Sequence, residues 1–207
     1  MKKMICTLLA LAMMLCAVAM AETIAPQSGF DANEGTYAAS FNRDDLKDGS
    51  LNNVELYTED TYDIVDVDRM AVGDTFEAAG NTVTIESIEK DEYGNINING
   101  GFEAENGYTL TTEEDTNGYT TLDYNDFCTY TLRGTCKLDL AENVTFTDSY
   151  DIDAEALTNG KEPVTATGIE AVTKAIMESE NDSFYDHNTE FVIQDGKVVE
   201  ITRRFVP

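Results

Sequence analysis

Paired turn residues punctuate this chain at short intervals, and no other feature narrows its fold as much. Gly80-Asn81, Gly94-Asn95, Asn106-Gly107, Asn117-Gly118 and Arg133-Gly134 follow one another at steps of 14, 12, 11 and 16 residues, and Asp195-Gly196 adds a sixth pair. Asn, Asp and Gly accept the positive φ that tight reversals demand, so each pair marks a place where the chain can fold back on itself. Between the pairs lie short runs of strand-forming residues: Val83-Thr84-Ile85, Ile96-Asn97-Ile98, Tyr119 to Leu122 and Val144-Thr145-Phe146. Brief strands with turn chemistry every dozen residues give a mainly β fold, an antiparallel sandwich or barrel of hairpin-linked strands. One domain is expected over 35–207. A flexible lead-in at 22–34 precedes it, aperiodic and holding Pro26, Gln27, Ser28 and Gly29.

The last hairpin allows a register argument. A two-residue loop at Asp195-Gly196 sets Phe191 opposite Glu200, whereas a three-residue loop sets it opposite Val199 and gathers Phe191, Ile193, Val199 and Ile201 on one face. Burial favours the second. Arg203, on the core side of that strand, is then expected past the sheet edge. One amphipathic helix is predicted over 168–179: Thr167-Gly168-Ile169-Glu170 matches the capping box, and Ile169, Val172, Ala175 and Ile176 trace one face. It covers an open face or edge of the sheet. Residues 153–157 add a single helical turn.

The amino-terminal stretch reads as an export signal. Lys2-Lys3 lead an apolar run from Ile5 to Met20 broken only by Thr7, and Ala19-Met20-Ala21 offers a small-x-small cleavage pattern. Residues 1–21 are therefore expected to be removed after Ala21 and the protein secreted. The chain has 40 Asp plus Glu against 13 Lys plus Arg, a formal charge of −27. Losing the signal removes two lysines and no acid, so the remaining chain carries −29. Such a surface repels polyphosphate and anionic lipid, which excludes nucleic acid and membrane surfaces as expected partners. An apolar content of 42% argues against wholesale disorder.

Cys6 and Cys16 leave with the signal, and Cys128 and Cys136 remain. Both lie on the apolar face of alternating segments. A hairpin looping over Tyr130 to Gly134 sets them opposite each other, whereas a tighter turn at Arg133-Gly134 staggers them. In an exported chain a Cys128–Cys136 disulfide is expected, worth about 2 kcal/mol for so short a loop. The alternative is a pair of buried free thiols.

Motifs for chemistry are sparse. The chain has one histidine, His187, and no tryptophan. His187 sits in Phe184-Tyr185-Asp186-His187-Asn188, read as a solvated loop between helix and strand. No Gly-rich phosphate cradle occurs. Asp148, Asp151, Asp153 and Glu155 follow a strand and supply the hard oxygens that calcium prefers, so they form a candidate metal site, and calcium is the one cofactor the sequence suggests. The full calcium-loop pattern fails there, because Ala156 stands where a turn glycine is required. A second near-match, Glu113-x-Asp115-x-Asn117-Gly118, fails at Tyr124. The reading that these acids are simply solvated stands beside both. Carboxylate pairs can run glycoside hydrolysis, but forty acids make many pairs. Tyr57, Tyr108, Tyr119, Tyr124 and Tyr130 fall in strand-forming segments, where such rings either stack on sugars or pack the protein itself.

Met70-Ala71-Val72-Gly73-Asp74-Thr75-Phe76, Thr82 to Glu89, Asn97 to Gly101 and the closing Phe191 to Pro207 with its Asp-Gly-Lys-Val-Val-Glu-Ile-Thr-Arg-Arg core together resemble exported, uncharacterised proteins of Gram-positive anaerobes. The resemblance implies export and a β-rich fold, and it assigns no site residue. The function expected from the whole sequence is a secreted, non-catalytic surface or extracellular interaction domain whose partner is a protein or a glycan. The alternatives are a carboxylate-dependent extracellular glycoside hydrolase and a calcium-stabilised structural domain.

Overall fold

A computed structural model describes residues 22–26, 29–112, 118–123, 127–152 and 154–206. Residues 1–21, read above as an export signal, the near-match acids at 113–117, Tyr124 and Asp153 lie outside these residues. The strands of the first half are β1 (Thr23–Ile24), β2 (Gly35–Ser40), β3 (Leu46–Lys47), β4 (Ser50–Glu59), β5 (Thr61–Asp63), β6 (Thr75–Ala78), β7 (Asn81–Thr84), β8 (Ile88–Lys90) and β9 (Ile96–Ile98). Those of the second are β10 (Tyr108–Thr112), β11 (Gly118–Leu122), β12 (Tyr130–Ser149), β13 (Val164–Thr167), β14 (Thr189–Gln194) and β15 (Lys197–Arg204). The helices are α1 (Ile64–Val67), α2 (Ala154–Thr158) and α3 (Ile169–Glu178). The protein is mainly β, as the turn spacing predicts.

The 20-residue strand β12 organises the largest sheet. Its first half pairs antiparallel with β4 and its second half pairs parallel with β15. Antiparallel pairs β4–β2, β2–β14 and β14–β15 complete a circuit, so the ladder closes on itself as a barrel-like ring, with β3 and β13 flanking it. Register shifts between Leu132 and Gly134, Cys136 and Leu138, and Leu140 and Thr145 break the ladder of β12 where it passes from one neighbour to the other. Extra residues of this kind bend a strand and increase its twist. Alternation points Leu51, Val54, Leu56, Leu138, Phe146, Phe191, Ile193, Val198 and Ile201 inward, and Val172 and Ile176 of α3 join this core.

Residues 61–129 leave the ring after β4 and return at β12. The five-stranded antiparallel sheet β5-β11-β10-β9-β8 and the three-stranded sheet β1-β6-β7 gather a second core from Ile24, Tyr62, Phe76, Ile85, Ile98, Leu110 and Tyr119. Asp60 fastens the junction. Its side chain is 0% exposed and accepts from Ala79 N (2.7 Å), Thr129 Oγ1 (2.8 Å) and Thr131 Oγ1 (2.6 Å). A buried carboxylate is tolerated when donors surround it in this way.

Several expectations need correction. Thr23 and Ile24 of the supposed lead-in pair in parallel with β6, and Ile24 is buried, because the second core needs it. Arg133-Gly134 makes no turn: that stretch is extended strand with a bulge. Consequently Cys128, bridged to Leu122 just before β12, and Cys136, opposite Val54 on β12, are not joined by a disulfide. Eight extended residues separate them by on the order of 25 Å, against the roughly 4–7 Å between Cα atoms that a disulfide tolerates. The final hairpin does turn on two residues, Asp195 and Gly196, both with positive φ, and pairs Gln194 with Lys197. A bulge between Val192 and Ile193 then sets Phe191 opposite Ile201, so Val198 rather than Val199 faces the core. Arg203 does not clear the sheet edge but is fully buried. For α3 the buried face and limits agree with expectation, but its N-cap is Gly168 (φ 87°), without a side-chain cap bond, and Thr167 belongs to β13.

Candidate functional site

The outer face of the ring carries a groove. On β2, Tyr37 and Ala39 point inward, so Ala38 points out; its ladder partners are Glu190 on β14 and Tyr57 on β4. A methyl group between two long side chains makes a low floor. Tyr57 and Tyr130 form one wall, and Glu59, the ladder partner of Tyr130, stands beside them. The opposite wall is the Glu190–Arg204 ion pair at 2.9 Å. The loop Asp186-His187-Asn188 joins the rim, and the half-open cavity measures about 350 Å³, within the size range of small-ligand pockets.

Each charged group here already has a partner. Glu59 accepts from the Thr120 hydroxyl of β11, so the second module braces the groove. Tyr57 donates to Glu55 at 2.8 Å. Asp186 Oδ1 lies 3.2 Å from His187 Nδ1. Burial, together with the hydrogen bond to Glu55, pushes the Tyr57 hydroxyl far above its usual range, and burial and the charge of Glu59 do the same for Tyr130. Both hydroxyls therefore stay protonated: Tyr57 gives its proton to Glu55 and can only accept from a ligand, whereas Tyr130 can donate.

His187 is not the solvated loop residue that its surroundings in sequence suggest. It is half-buried, edge-on to Phe127 (5.4 Å between centroids) and Tyr130 (5.3 Å), with Tyr185 at 6.3 Å. The hydrogen bond to Asp186 raises its pKa, burial opposes this, and the charges of Asp186 and Asp123 and a hydrogen bond at the Cys128 main chain add to the rise. The imidazole thus ties the loop before β14 to the segment returning from the second module.

Of the acids proposed to bind calcium, the three among the described residues, Asp148, Asp151 and Glu155, are not grouped to hold a metal ion. Asp148 is taken up by Arg203, whose Nε donates to Oδ1 at 3.0 Å while its terminal nitrogen meets Oδ2. The same guanidinium donates to the carbonyl of Asn181 at 2.8 Å and lies over the rings of Phe184 (4.3 Å) and Tyr150 (5.0 Å). Asp151 sits in the turn after β12, where its carbonyl accepts from Lys161 Nζ at 2.9 Å, and Glu155 is exposed on α2. Asp153 lies outside the described residues. Among the described residues no three His, Cys, Asp or Glu side chains are grouped to hold a metal ion.

Of the tyrosines noted in the sequence, Tyr57 and Tyr130 line the groove, whereas Tyr119 is buried in the second core and Tyr108 packs on Phe76. Ala38, Glu59, Glu190 and Arg204 carry no local signal, because strands far apart in the chain bring them together. The chain matches no family model, no curated protein and no solved structure.

Proposed function

We propose that this protein is an exported, non-catalytic binding domain and that its ligand occupies the groove above Ala38. What carries this reading is the construction of the groove: a low floor, two tyrosine rings on one side, and hydrogen-bonding groups already fixed in position by partners. Preorganised contacts of this kind reduce the ordering cost of binding. Export rests on the pattern of residues 1–21, and no helix among the described residues is long and apolar enough to cross a membrane.

The test presents the purified protein to an array of extracellular oligosaccharides and to peptides, with Ala38→Phe as the variant that fills the floor. Binding that Ala38→Phe abolishes supports the reading. Binding that survives Ala38→Phe unchanged, or turnover of any bound glycan, overturns it.

A further inference from the structure

The polar groups of the groove also say what kind of ligand it takes. Resting on the binding reading above, we infer that the ligand is an uncharged, polyhydroxylated ring, a neutral sugar unit. The charges at the rim are matched in pairs: Glu190 with Arg204, and Asp186 with His187. Glu59 is bonded to a neutral hydroxyl, that of Thr120. A ligand cation would have to compete with Arg204 for Glu190 and with His187 for Asp186, and only Glu59 is held by no cation. A ligand anion would meet those carboxylates and the −27 field of the whole chain. A neutral hydroxyl has neither difficulty, since it donates to a carboxylate and accepts from the Arg204 guanidinium without breaking the pair.

Pairing supplies geometry as well. A carboxylate and a guanidinium held 2.9 Å apart present an acceptor beside a donor. Two neighbouring hydroxyls on one ring present the complementary arrangement. Across the floor, the rings of Tyr57 and Tyr130 offer apolar surface to the C–H side of a sugar, and Tyr130 offers a protonated hydroxyl to its edge, whereas the proton of Tyr57 is committed to Glu55. Ala38 leaves the depth for such a ring to lie against the sheet. At about 350 Å³ the cavity is at the small end of ligand sites, which suits one or two sugar rings rather than a folded partner.

The experiment uses isothermal calorimetry and ligand-observed NMR on the mature protein. The probes are neutral disaccharides (maltose, cellobiose, lactose), a cationic chitosan dimer and a glucuronate-containing disaccharide. The expected result is binding of at least one neutral probe, with an affinity that changes less than about twofold between ~0.05 and ~0.5 M salt. Ala38→Leu should weaken it by about tenfold or more, and an unchanged melting temperature would show that the variant is folded. Tyr130→Phe, which keeps the ring, should weaken binding less than Tyr130→Ala. Binding confined to the cationic probe and falling steeply with salt overturns the neutral class while leaving the groove as a site. The same holds for a peptide that binds in an Ala38-dependent way when no sugar does. Sugar binding indifferent to Ala38→Leu overturns both readings.

Discussion

Arg203→Met is the substitution whose cost the structure fixes best. Arg203 is fully buried, and its removal leaves both oxygens of Asp148 without their cationic partner. The carbonyl of Asn181 and the faces of Phe184 and Tyr150 lose the same guanidinium. Breaking a buried pair by deleting one member costs about 3–5 kcal/mol. Asp148 keeps 12% of its side chain exposed, so water reaches it in part and the lower end applies, about 3 kcal/mol. For a chain of this size that lowers the melting temperature by roughly 6–12 °C. Urea unfolding monitored by tyrosine fluorescence and circular dichroism gives the value directly. The double variant Asp148→Leu with Arg203→Met removes the orphaned charge and should recover part of the loss. A single variant within about 1 kcal/mol of the parent, or a double variant no better than the single, would refute the reasoning. Asp148→Asn should cost the same in calcium and in chelator, since in this fold Asp148 serves the arginine.

His187 gives a pH prediction, made clean by its being the chain's only histidine. Its folded pKa is raised, so its contribution to stability is complete below the unfolded value, about 6.5, and is lost as pH rises through the folded value. The melting temperature should fall over that interval relative to His187→Gln, and parallel curves for the two proteins would count against the Asp186 contact. Gly107→Ala should destabilise by about 1–3 kcal/mol, because a Cβ at Gly107 would lie 2.0 Å from the Gly101 carbonyl oxygen; an unchanged urea midpoint would disprove that close approach. Mass spectrometry of the purified protein should show no internal disulfide, with Cys128 and Cys136 both alkylated under native conditions. Cys136 should react slowly, because burial keeps its thiol protonated.

Local signals in the sequence carried the strands, most of the turns and the apolar face of α3, because turn chemistry and periodicity act over a few residues. They misled where a residue served a distant neighbour. Asn106-Gly107 carries the signal of a hairpin turn, yet the positive φ values in that connection belong to Asn99, Gly100 and Gly101. Gly107 is needed because another stretch of backbone passes against it. Arg133-Gly134 carried the same dipeptide signal, but pairing with β4 on one side kept the segment extended. Asp148 looked like a calcium ligand because its partner lies 55 residues on. The groove was legible only as isolated tyrosines and a lone histidine. Its floor and its ion pair depend on β2, β4 and β14 becoming neighbours, and no window of the sequence contains that order.

Circular strand order also dictates when the molecule can become whole. β2 finds its neighbour β14 only after the intervening residues have been laid down, with Ala38 meeting Glu190 and Thr36 meeting Val192. Until then an early strand keeps an unsatisfied margin of backbone amides and carbonyls. Contacts so remote along the chain slow folding, since the entropy of a long closure must be overcome before any pairing is gained. A chain that emerges amino end first would thus hold its ring open until the Asp195-Gly196 hairpin arrives to close it.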